Sequence, residues 1–175
     1  MLRTVLIYGV ITGIVVGLPM SYLALGLSGP AAHSYTVGYL VMLIALSVIF
    51  VGIKAHRDRA LGGVIRFWPA LALGLGITVV AGVIYAATWD LAQQLAHVDF
   101  AGDYAKSVIA HQKAHGASAE TLARVTAEME RFKASYANPL YRYFMTFIEL
   151  FPVGVLVSLV SAGLLRNSRF LAARG

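Results

Sequence analysis

Apolar residues along this chain gather into four long runs, at about 5–27, 37–53, 68–89 and 143–165, with the polar residues collected between them. At 1.5 Å rise per residue, a run of about 20 crosses a hydrocarbon core of roughly 30 Å. The second run is short by itself, and Tyr35 and Thr36 extend it through the interface. Trp68 and Trp89 bracket the third as an aromatic belt would, and Pro69 sits in its first turn, where a missing backbone N–H costs little. The pattern predicts an all-α integral membrane protein, a single membrane domain over residues 1–175 with four transmembrane helices and a helical external segment between the third and the fourth.

That external segment, about 93–142, changes period from continuous hydrophobicity to amphipathic spacing. Asp99 or Gly102 starts a first helix, which ends before His115-Gly116. Ser118 is an N-cap for a second, with Glu120 in its first turn. Within the second helix Leu122, Val125, Met129, Phe132 and Tyr136 recur at three- and four-residue spacing and form one apolar face. Leu122, Val125, Met129 and Phe132 are therefore candidates for an external interaction, the plain reading being a hairpin packed on itself. Asn138-Pro139 ends the helix before the last span.

Charge sets the orientation. The chain carries 14 Lys and Arg against 8 Asp and Glu, a formal net charge of +6, and its mean hydropathy is +0.75. Arg3 precedes the first span, Lys54, Arg57, Arg59 and Arg66 join the second to the third, and Arg166, Arg169 and Arg174 follow the fourth. The connection at 28–36 has neither Lys nor Arg. Both termini and the 54–67 loop are then cytoplasmic, and the 93–142 segment is external. The excess of positive charge reads as orientation and contact with anionic lipid at the cytoplasmic face, not as nucleic-acid binding. An alternative makes the first span a cleaved signal peptide, with Ala24-Leu25-Gly26 resembling the cleavage site; its h-region is unusually long for that role.

Small residues recur where helices would meet. Gly9, Gly13 and Gly17 stand every fourth position in the first span, Gly74, Thr78 and Gly82 in the third, and Gly154 and Ser158 in the fourth. Such ridges let backbones approach closely, since lipid offers no hydrophobic drive between helices. They fit packing within the chain, with docking of a membrane-protein partner or a second copy as the functional alternative.

Few residues carry candidate chemistry. With no cysteine in the chain, disulfides, thiolate catalysis and Fe–S ligation are excluded. Glu149 stands in the last span, where an ionisable group is expensive and invites a functional reading. Pro152 follows on the next turn and removes an amide partner from the carbonyl of residue 148. With Pro19 and Asp90 they are expected to line an outward-facing polar recess; Glu149 pairing with Arg142 is the structural alternative. Arg57 and Asp58 are a second candidate pair, in the basic loop, with Asp58 as local counter-charge. His111 and His115 lie four apart, but HQKAH lacks the glutamate of the HExxH zinc motif and two histidines do not close a site. No metal, cofactor or catalytic residue is assigned.

Three stretches carry a resemblance: YGVITGIVVG near the N-terminus; the central stretch with Ile53, Lys54, Arg57, Asp58, Leu61, Gly62, Gly63, Ile65 and Phe67 in the order IKxxRDxxLGGxIxF; and E-x-F-P-V-G from Glu149 to Gly154. The chain resembles, over almost its whole length, the bacterial membrane family called domain of unknown function 4199. The resemblance implies a small inner-membrane protein with four spans and supplies no activity. Function is expected to be that of an accessory or assembly subunit, with an oligomeric transporter or channel, proton-coupled through Glu149, as the alternative and a membrane enzyme ranked last.

Overall fold

The computed structural model describes residues 1–24, 35–97 and 99–172. Seven helices follow one another: α1 (Leu2–Ala24), α2 (Tyr35–Leu46), α3 (Val48–Ala60), α4 (Phe67–Ala96), α5 (Phe100–Ala114), α6 (Ala119–Tyr136) and α7 (Pro139–Leu165). Four helical stretches are long and apolar enough to cross a membrane: Leu2–Tyr22, Gly38–Ala60, Phe67–Ala96 and Pro139–Leu165. The second joins α2 and α3 through a break at Ser47, whose hydroxyl donates to the Ile44 carbonyl at 2.6 Å. The protein is an all-α bundle of four membrane-spanning helices with a helical segment between the third and fourth, as the hydropathy pattern predicts. The expected turn at 28–30, His33 and most of the cleavage-like tripeptide fall within 25–34, outside the described residues.

The spans run further than their apolar cores. Lys54, Arg57, Asp58 and Arg59 are not in a loop: they occupy the last turns of α3, leaving only residues 61–66 to turn the chain. Lys54 donates to Asp58 at 2.5 Å one turn on, and this i,i+4 pair supports continued helix where hydrophobicity alone ends it. Helix α4 continues past Trp89 to a left-handed cap at His97 (φ 52°). Pro139 opens α7 at its first turn, and the Asn138 side chain caps it by accepting from Leu140 N–H at 2.9 Å.

Helix α4 is the centre of the bundle, with α1 on one side and α7 on the other. Close approach explains its neighbours. A Cβ on Gly13 would stand 2.5 Å from the Ile84 Cβ and 2.9 Å from the Ala81 carbonyl oxygen, and one on Gly9 would meet Val80 at 2.5 Å. Gly17 lies against Thr88. On the other side Gly74 faces Ser158, Gly154 faces Thr78, and Gly82 faces the ring of Phe147. Thr78 and Ser158 bring their hydroxyls to 3.3 Å while each also donates to a carbonyl of its own helix, so both are satisfied in the buried seam. Met42, Leu46, Ile49, Ile53, Leu73 and Ile77 belong to one buried core that ties α2 and α3 to α4.

Candidate functional site

At the opposite end, α5 and α6 form a hairpin over the bundle. The Asp99 side chain caps α5 by accepting from Gly102 N–H at 2.9 Å, and Ser118 caps α6 by accepting from Thr121 N–H at 3.2 Å. The α6 residues Leu122, Val125, Met129 and Phe132 are half-buried, on a helix that packs against α5.

Between hairpin and bundle lies a cavity of about 410 Å³. Its walls come from aromatic pairs one turn apart on three helices: Tyr85 and Trp89 of α4, Phe100 and Tyr104 of α5, Phe132 and Tyr136 of α6. The rings support one another. Trp89 meets Phe100 edge-on at 5.1 Å, Phe100 lies 5.7 Å from Tyr136, and Phe132 bridges Tyr104 at 5.5 Å and Tyr136 at 5.4 Å. The Trp89 indole N–H donates to the Tyr136 hydroxyl at 2.9 Å, and Gln93 donates to the same oxygen at 3.4 Å. Burial pushes the Tyr136 phenol above its ordinary range, so the group accepting these bonds is the neutral hydroxyl.

Helix α7 completes the wall with Met145, Thr146, Ile148 and Glu149, and Met20 of α1 closes a corner. Glu149 is accessible, lies one turn below Met145, and accepts no hydrogen bond from any described residue. Among the described residues it is the one lining group with an ionisable carboxyl, and neither Lys, Arg nor His lines the space.

The expected polar recess is thus corrected in character: it is an aromatic cavity holding one carboxyl group. Asp90 does not line it. Asp90 accepts from Arg142 Nε at 2.7 Å and from a second nitrogen of the same guanidinium, and it also accepts from Gln94 at 2.7 Å. Arg142 is therefore taken by Asp90 and not by Glu149, and its guanidinium stands 5.8 Å from the Tyr136 ring centroid on the outside of the aromatic cluster. Pro152 is exposed on α7 and is not in the wall.

Arg57 and Asp58 lie at the far end of the bundle. Arg57 is fully buried; it donates to Asp58 at 2.7 Å, to the Phe170 carbonyl at 2.9 Å and to the Leu171 carbonyl at 2.6 Å. Phe170 stacks edge-on with Phe50 at 6.4 Å. The pair that sequence reads as orientation signal and counter-charge clamps the segment after α7 onto α3. His111 and His115 stack their rings at 4.1 Å, and among the described residues no group of three metal-ligating side chains converges.

Sequence reasoning passed over Tyr85, Phe100 and Tyr104, and it read Trp89 as part of an aromatic belt and Tyr136 as part of an apolar face, not as cavity walls. A signal was there: three aromatic pairs at i,i+4 spacing, on three consecutive helices, all near the same end of the bundle. Comparison with curated proteins and with solved structures gives no match. A family model described as "Protein of unknown function (DUF4199)" matches residues 6–167, nearly the whole chain including every span and the cavity-forming hairpin, and the protein belongs to this family of bacterial membrane proteins.

Proposed function

We propose that this protein is an accessory binding protein of the bacterial inner membrane, holding a small amphiphile at the outer face in the cavity under its hairpin, and that it does not itself move a solute across. The observation that carries this reading is the cavity, about 410 Å³ walled by six aromatic side chains from three helices. Concave, largely aromatic spaces with a few polar groups are the ordinary form of small-molecule sites. The wall is also braced from behind: Trp89 and Tyr136 are nearly fully buried and hydrogen-bonded to each other, so the shape is held without a ligand.

Against transport through one chain stands the packing below the cavity. Gly13 is pressed on Ile84 and Gly82 on Phe147, and Thr78 and Ser158 are buried with their hydroxyls satisfied by protein. Further in, Leu73, Ile77 and Ile53 have no exposed surface. An ion path needs water or a file of free polar groups at that depth, and the Thr78 and Ser158 hydroxyls are taken up by carbonyls of their own helices.

Two measurements on purified protein test the proposal. In nanodiscs, a neutral naphthylamine dye should take up excitation energy from Trp89 saturably, in a Trp68→Phe background and above the level of empty discs, and Met145→Phe, which fills the cavity mouth, should abolish the transfer. In liposomes under a pH gradient, proton leak should equal that of protein-free vesicles. Absence of saturable transfer removes the binding role; protein-dependent flux that Glu149→Gln abolishes moves the protein to the transporter class.

A further inference from the structure

Resting on the cavity reading, we infer the chemical class of the ligand: an ammonium cation, primary or alkylated, carried on an apolar body, with Glu149 as its counter-ion and the rings of the cavity as its cage. Three observations converge. Glu149 reaches the wall with no donor from the described residues, so the carboxyl has capacity for a partner that these residues do not supply. Tyr85, Trp89, Phe100, Tyr104 and Tyr136 surround the same space, and the negative faces of such rings attract an ammonium group, the more so where water is excluded. Among the described residues no Lys, Arg or His lines the cavity.

That last point narrows the class. A phosphate or carboxylate entering with the ligand would face Glu149 with no cation among the described lining residues to receive it, which disfavours anions and also zwitterionic phospholipid headgroups. The nearest guanidinium, Arg142, is held by two bonds to Asp90 and lies on the outside of the Tyr136 ring. The apolar body has a place as well. Met145 and Ile148, on the cavity wall, are more than a third exposed and run on to exposed Phe144 on the surface that faces the bilayer, so a hydrocarbon tail leaves the cage along α7 into lipid. The arrangement selects a lipophilic cation, bound headgroup-in from the outer leaflet.

The test is competition against the naphthylamine dye in nanodiscs made of phosphatidylglycerol, with three probes of equal chain length: hexyltrimethylammonium, hexylphosphocholine and hexyl glucoside. Hexyltrimethylammonium should displace the dye at about tenfold lower concentration than either of the others, the range that a desolvated cage plus one carboxylate provides. Glu149→Gln should erase that preference, read against the variant's own dye affinity, and an unchanged helical circular-dichroism spectrum and size-exclusion profile show that the variant is folded. Tyr104→Leu should weaken the ammonium probe more than hexyl glucoside. Equal displacement by all three overturns the cation assignment and leaves the cavity reading standing. Equal potency of hexylphosphocholine and hexyltrimethylammonium overturns the exclusion of lipid headgroups. A dye that fails to bind the native protein removes the cavity reading, and this inference falls with it.

Discussion

Asp90 and Arg142, 52 residues apart in sequence, join α4 to α7 at the outer end of the bundle through two hydrogen bonds from one guanidinium to one carboxylate oxygen. Both side chains are largely withdrawn from solvent, at 12% and 18% exposure. The pair sits directly behind Tyr136, whose backbone carbonyl Arg142 also contacts at 3.4 Å. Its consequence is a division of labour between two acidic groups at this end: Asp90 takes the Arg142 guanidinium, and Glu149 has no cationic partner among the described residues.

Removing a single partner of this pair should therefore cost more than removing both. We expect Asp90→Asn or Arg142→Met each to lower stability by about 2–4 kcal/mol, because each leaves an uncompensated, mostly buried charge or donor, and the double variant to recover part of that loss. Unfolding in mixed micelles, followed by Trp89 fluorescence, measures the cycle. A double variant no more stable than either single variant would contradict it.

Much of the bundle is legible in the chain because lipid imposes a coarse rule: backbone polar groups must be satisfied within the helix, so long apolar runs read directly as spans. The caps at Asp99, Ser118 and Asn138 are legible for the same local reason, a short side chain two or three residues ahead of an orphan N–H. Hydrophobicity placed the end of the second span too early, since the turns that carry Lys54 to Arg59 are held by charge pairing and not by apolar burial. Arg57 shows the harder limit. A basic residue after a span is ordinarily a topology signal, and its real partners are two carbonyls more than a hundred residues away, which no local pattern encodes. The cavity is similar: each aromatic pair is visible on its own helix, but their convergence depends on how the hairpin folds back over α4.

The Arg57 clamp makes a prediction at the basic end. Its guanidinium reaches two consecutive carbonyls, at Phe170 and Leu171, and lysine has no matching fork. Arg57→Lys should free the segment after α7 and raise trypsin cleavage at Arg166 and Arg169 by about tenfold, the effect of losing one to two charge-assisted hydrogen bonds. Inside-out vesicles present this face to the protease, and cleavage at the native rate in the variant would show that Phe170 packing on Phe50 holds the segment unaided.

Tyr136 links the hairpin to α4 by one oxygen, so Tyr136→Phe removes the acceptor of both Trp89 and Gln93. Leaving the buried indole N–H unpaired should cost about 1–3 kcal/mol and move the Trp89 emission to shorter wavelength. The phenol also fixes a pH response. Burial raises its folded pKa above the unfolded value near 10, so the folded state holds the proton longer, and this group's contribution is complete below about pH 10 and is lost as pH rises beyond it. The native protein should thus lose stability above about pH 10 more steeply than Tyr136→Phe, whereas equal slopes would mean the phenol is not buried in solution.

Gly13 and Gly163 give a matched test of the close approach between spans, since both lie within membrane helices and differ in what a methyl group would meet. At Gly13 the added carbon would stand 2.5 Å from the Ile84 Cβ and 2.9 Å from the backbone oxygen of Ala81; at Gly163 nothing lies within 4 Å. The Ile84 side chain is branched at the contacting atom and the Ala81 carbonyl is fixed in its helix, so neither yields without moving α1 away from α4. Gly13→Ala should then destabilise the bundle by about 1–3 kcal/mol, the usual cost of overpacking. Gly163→Ala should be neutral or gain a few tenths to about 1 kcal/mol from helix propensity. Because the same α1–α4 seam continues to Gly17 and Thr88 near the cavity, the Gly13 variant should also weaken dye binding while Gly163→Ala leaves it unchanged. Equal stability of the two variants would show that α1 is not seated against α4 as tightly as the geometry requires, and the closed lower bundle that argues against transport would lose its main support.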